Sequence, residues 1–147
     1  MSLPDPHMQS EFYAGVLGKR LMAWIVDTVI VTALTIAAAL LTLGIGFFLF
    51  MLFFGVIGFV YRLVSLANGS ATFGMRFTGV ELRTAQGARL DASAAFLHTL
   101  GYTVSVAAAP LQLVSVVLMM ISDRGQGLTD MVLGTAMVNR RAAAWMG

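Results

Sequence analysis

The sequence predicts an all-α membrane protein, a small transmembrane helical bundle with a short extended or β-hairpin loop on its cytoplasmic side. Three observations lead there. Hydrophobic residues make up 59% of the 147 residues and charged residues only 11%, against roughly 45–50% and about 25% in soluble domains. A body this small cannot hide so much apolar surface from water. The apolar residues fall into three long runs, and the basic residues cluster between and around them.

Residues 1–11 are polar and hold Pro4 and Pro6, which reads as a disordered N-terminal tail. A membrane domain follows over 12–138. Phe12, Tyr13 and Lys19 suit headgroup depth on the approach to the first run. That run, about 21–43, is long enough to span about 30 Å of hydrocarbon as a helix. Its length, its late start and Asp27 in its middle argue against a signal peptide. Gly44–Ile45–Gly46 suits a tight turn into a second span at about 47–67, where Tyr61 and Arg62 read as an aromatic belt and a snorkelling basic residue.

Residues 68–91 are the longest polar stretch. Asn68–Gly69 signals a turn. Phe77 to Arg83 partly alternates polar and apolar, and Ala85–Gln86–Gly87 can turn the chain back into Ala88–Leu90, as a hairpin or an extended excursion. Asp91 or Ser93 can cap the next helix. The third run, 92–122, is long for one span and short for two, and Pro110 interrupts it. Beyond it lie a strand-like piece, Gly134–Val138, and a C-terminal tail at 139–147.

Lys19 and Arg20 precede the first span, Arg62, Arg76, Arg83 and Arg89 surround the central loop, and the first turn carries no charge. Positive residues collect on the cytoplasmic side, so the chain is expected to be multi-pass in the cell membrane with its N-terminus and central loop cytoplasmic. Arg124, Arg140 and Arg141 put the tail there too, which needs an even number of crossings and a third run broken near Pro110. One long tilted helix with the tail outside is the competing reading.

Four residues are candidates for an ion or proton site or a structural charge network: Arg20, Asp27, His98 and Asp130. A carboxylate at the centre of a span costs about 2.5–3.5 kcal/mol on insertion scales, so Asp27 must face the bundle interior and find a partner or take up a proton. Arg20 is about 10 Å away along a straight helix, so a base from another segment is an equally good partner. Asp130, just past the third run, can meet Arg20 as a bidentate pair and staple the tail to the first helix. His98 can titrate near neutrality and form a relay with Asp27, or simply bond to backbone or water. Gly55 and Gly58, and Gly101 with Ser105, allow close approach between helices.

Three ordered fragments carry a family likeness: Gly15–x–x–Gly–Lys–Arg20–Leu–x–Ala–Trp–Ile–Val–Asp27, Ala71–Thr72–Phe73–Gly74–Met–Arg–Phe–Thr–Gly79–Val, and Gln126–Gly–Leu–Thr–Asp130–Met–Val–Leu–Gly134–Thr135. Together they resemble the RDD family of small integral membrane proteins, named for one arginine and two aspartates, here matched by Arg20, Asp27 and Asp130. The family's pattern has an arginine early in the third run where this chain has His98. The resemblance implies a membrane domain and, from what is suggested of some members, transport that includes cation/proton antiport.

Two functions are therefore expected. One is small-cation or proton transport, or an accessory role in transport, using the intramembrane Asp. The alternative is a non-catalytic scaffold or anchor whose cytoplasmic loop and tail bind a partner protein. The expected partners are the lipid bilayer, a second copy of the chain in a homo-oligomer, and that loop partner. Nine basic residues against seven acidic ones, spread along the chain, form no nucleic-acid stripe. With no cysteine and no HExxH, GxSxG or Ser/His/Asp order, no enzyme, metal or cofactor is expected.

Overall fold

The structure is a computed structural model that describes residues 3–143; what was expected of residues 1–2 and 144–147 lies outside the described residues. Residues 3–11, expected as a tail, carry local structure. Asp5 accepts the backbone N–H groups of His7 and Met8, Tyr13 donates its hydroxyl to Pro4 O at 2.7 Å, and a single 3₁₀ turn, Ser10–Phe12, buries Phe12.

Helix α1, Val16–Leu41, forms the first apolar rod, and α3, Phe50–Ala67, the second. With the turn ahead of it, the first is counted over Ser10–Leu41, and both rods are long and apolar enough to cross a membrane. The link between them is tight but not bare: it contains a one-turn helix, α2, Ile45–Phe48. Gly44 takes a left-handed φ of 89° there, and a Cβ at Gly46 would lie 2.6 Å from the Ala39 backbone. Both positions therefore demand glycine.

The third run breaks. Helix α5, Ala92–Ala107, starts on an Asp91 cap that accepts the Ala94 N–H at 2.7 Å, and α6, Ala109–Ile121, leaves it at 115°. Ala108 is extended at the break, and Pro110 sits in the first turn of α6, where its missing N–H leaves no helix bond unmade.

The central loop contains a short helix, α4, Phe73–Thr78, and one strand, β1, Val80–Arg83. The chain turns at 85–87, closed by Thr84 N–H to Ala88 O at 2.8 Å, yet 88–90 forms no strand. The partner of β1 comes from the tail instead. Strand β2, Ala136–Asn139, pairs antiparallel with it in the register Val80 to Asn139 and Arg83 to Ala136. Between α6 and β2 lies α7, Leu128–Leu133, and after β2 a last turn, α8, Arg140–Ala143. The main buried cluster (Val16, Ala23, Leu66, Met75, Leu82, Ala95 and Met137 among others) lies where α1, α4, α5 and the sheet meet. The distal parts of α1 and α3 contribute almost nothing to it.

Candidate functional site

Asp27 sits midway along α1, and its partners are neutral. Tyr61 on α3 donates its hydroxyl to Oδ1 at 2.7 Å, Thr72 donates to Oδ2 at 2.6 Å, and the Gly74 N–H donates to Oδ1 at 2.8 Å. Each hydroxyl is itself held: Thr72 Oγ1 caps α4 by accepting the Met75 N–H, and Tyr61 Oη accepts the Phe73 N–H. Their protons are thereby directed at the carboxylate. The Gly74 Cα lies so close to α1 that any Cβ there would strike the Ala23 carbonyl oxygen and Asp27. Neither Arg20 nor any other base forms an ion pair with Asp27 among the described residues. The acid is a clamp fastening the α4 loop to α1 and α3.

Asp130 is fully buried on α7 and gathers the other candidates. Arg20 Nη1 lies 2.8 Å from Oδ2, His98 Nε2 lies 2.8 Å from Oδ1, Thr135 donates to Oδ1 at 2.8 Å, and the Gly127 N–H donates to Oδ2 at 3.1 Å. The pair with Arg20 ties the tail to α1 through a single oxygen rather than two, because His98 and Thr135 occupy the other. His98 meets Asp130 and not Asp27. Burial opposes charge on Asp130, but Arg20, His98 and the Gly127 N–H outweigh it and hold the carboxyl well below the usual carboxylate range. Gly101 on α5 makes room for this cluster, since a Cβ there would lie 2.6 Å from the Thr129 side chain of α7.

Arg62 does not snorkel. It is 8% exposed, and its guanidinium carbon stacks 4.0 Å from the centroid of the Tyr102 ring on α5. With Arg20, His98 and Asp130 it lines a cavity of about 670 Å³ between α1, α3, α5 and α6. Ser105 and Ser115 add hydroxyls to the wall, while Leu21, Trp24 and Met120 line it with apolar surface.

The four residues picked from the sequence thus divide between two places. Arg20, His98 and Asp130 come together; Asp27 stands apart with Tyr61, Thr72 and Gly74. Those three partners were missed, although Thr72 and Gly74 stand in a quoted fragment, because a neutral donor carries no charge signal. Arg62 was missed as a site residue because its place near a span's end reads as snorkelling, and Tyr102 because an aromatic inside an apolar run carries no signal of its own.

The sequence profile of the RDD family matches residues 14–134. The chain belongs to the RDD family. No curated protein and no solved structure matches it. In this RDD protein the arginine and two aspartates are not one triad but two knots, one neutral-bonded around Asp27 and one ionic around Asp130.

Proposed function

We propose that this RDD protein is a non-catalytic, multi-pass component of membrane transport. Its working site is the cavity between α1, α3, α5 and α6, and His98 with Asp130 is the pair that exchanges a proton there. One observation carries the reading: a buried histidine and a buried carboxylate, bonded at 2.8 Å, stand in the wall of a cavity that reaches into an apolar bundle. An ionised carboxylate only accepts, so His98 must donate from Nε2. Its Nδ1, buried and bonded to nothing among the described residues, is then the atom that gains or loses a proton. Asp27 holds the wall in place and takes no part. In vesicles with an entrapped pH dye, His98→Gln is expected to abolish proton flux; flux equal to wild type removes this role.

The reading also sets a topology, with the N-terminal approach, the central loop and the tail all cytoplasmic. Its support is that the three are joined. Asn139 of β2 donates Nδ2 to Glu11 O at 2.8 Å and Ala14 O at 2.9 Å, Lys19 Nζ donates to Asn139 Oδ1 at 2.6 Å, and β2 pairs with β1. The 115° bend lets the third run enter and return, and the basic residues choose the side. Because the chain has no cysteine, Gln86→Cys and Arg141→Cys can each be labelled cleanly with an impermeant maleimide. Both should react only in inside-out vesicles, and labelling from opposite sides would refute the even crossing count.

A further inference from the structure

We propose that the cavity binds an acyl lipid with an anionic headgroup, and that Arg62 is the anchor for the head. The argument starts from charge. Arg20 is committed to Asp130 at 2.8 Å. Arg62, more deeply buried than Arg20, forms no ion pair among the described residues, and its Nε is buried without an acceptor. A guanidinium out of water with donors unmet is costly. The two nearby acids act on it only at a distance, since the oxygens of Asp27 and Asp130 are taken up by other donors. Tyr102 covers one face of the guanidinium but accepts none of its hydrogen bonds. Ser105 Oγ, in the same wall, is also buried and unbonded. Among the residues lining the cavity, two arginines face one carboxylate, and the surplus charge is that of Arg62.

The rest of the cavity selects what carries the anion. Leu21 and Trp24 on α1 and Val116 and Met120 on α6 line it, yet all four are exposed at the surface of the bundle. Helix α6 packs on α5 and α7 rather than along α1, so the mouth lies between two helices on an apolar face. A bare inorganic anion would use Arg62 and leave that mouth unused. A neutral lipid would use the mouth and leave Arg62 unmatched. An acyl chain with a phosphate or carboxylate head satisfies both, and about 670 Å³ falls in the range of roughly 300–1,000 Å³ typical of ligand sites.

Trp24 at the mouth is the natural reporter. In full-length protein with Trp145→Phe, so that Trp24 alone emits, vesicles carrying brominated phosphatidylglycerol should quench several-fold more than vesicles with brominated phosphatidylcholine. Brominated oleate in place of the phosphatidylglycerol tells a carboxylate head from a phosphate head, and selectivity for either over phosphatidylcholine supports the site. Arg62→Gln should erase the selectivity, while Arg89→Gln, which removes the same charge from the exposed loop, should keep it. Equal quenching by anionic and neutral lipid, or equal loss in the two variants, overturns the proposal. Should Arg62→Gln fail to fold, Ser105→Leu adds bulk to the cavity wall instead, and selectivity that survives that filling overturns it as well. The readout is occupancy, so this inference stands or falls separately from proton flux through the same cavity.

Discussion

The distal hairpin and the polar knot are built by opposite rules. In the hairpin, made of the far ends of α1 and α3 with α2 between them, side chains face outward: Leu41 is 84% exposed, Leu43 95% and Phe48 92%. Only 17% of the most apolar window of the first rod and 6% of that of α3 are buried within the chain. Lipid solvates such surface as well as protein does, so little there fixes one partner against another. In the knot, where α4, β1, β2 and α7 meet the near ends of α1 and α5, nearly every polar side chain has a named partner and the backbone is closely approached. The difference teaches where this fold is specified. Hydrophobic length puts the rods in the bilayer, whereas hydrogen bonds and one ion cluster decide how they are arranged.

The two aspartates give the sharpest way to break that contrast. Removing the buried Asp130 leaves the partly buried Arg20 without its carboxylate, and breaking a buried pair from one side costs up to about 3–5 kcal/mol. Asp27→Asn keeps an acceptor for Tyr61 and the Gly74 N–H, though a neutral one, and sets an amide against the Thr72 hydroxyl, a loss of about 1–3 kcal/mol. Unfolding in mixed micelles is therefore expected to rank Asp130→Ala well below Asp27→Asn, and both below wild type. The reverse order would show that the α4 clamp, not the ion cluster, dominates. The wild type should also weaken in acid. Asp130 is held below its ordinary value of 3.8, so its contribution is complete above that pH and is lost as the pH falls toward its folded value. Asp130→Ala should lack this part of the acid dependence.

How much of this the sequence disclosed follows the same division. The rods were legible because an uninterrupted apolar run has one solution in a bilayer, and the break in the third run was legible from Pro110. The Arg20–Asp130 tie was legible because unlike charges in apolar surroundings must meet. The partners of Asp27 were not, since Tyr61, Thr72 and Gly74 lie 34, 45 and 47 residues away and nothing in a hydroxyl or a backbone N–H announces its acceptor. Strand β1 was visible as alternation, but its partner was sought across the nearest turn and lies instead in the tail, with which no local signal connects it. Arg83, expected among the loop's cytoplasmic bases, turns inward: it is 1% exposed, pairs with Glu81 at 2.9 Å and donates to Gly87 O and Ala143 O. Arg76 stays exposed on α4, so a partner protein docking on the loop would meet Arg76 and not Arg83.

The smallest effect is expected in the hairpin rod itself. Gly55 and Gly58 were equal candidates for close helix approach, yet only Gly58 faces α1, with a Cβ there reaching Val31 at 3.5 Å; a Cβ at Gly55 would meet nothing within 4 Å. Gly55→Leu should therefore change the unfolding free energy of the monomer by no more than about 0.5 kcal/mol, as for other surface sites, with a small gain in helix propensity on its side. A loss of several times that size in dilute micelles would mean that Gly55 packs within the chain and that the hairpin is more tightly specified than its exposure implies. The same variant read by cross-linking at high protein density addresses the expected homo-oligomer. Small residues admit a second helix where bulky ones do not, so a dimer lost in Gly55→Leu and kept in wild type would place the contact between copies on this face of α3, and the outward-facing rod would owe its specificity to a second chain.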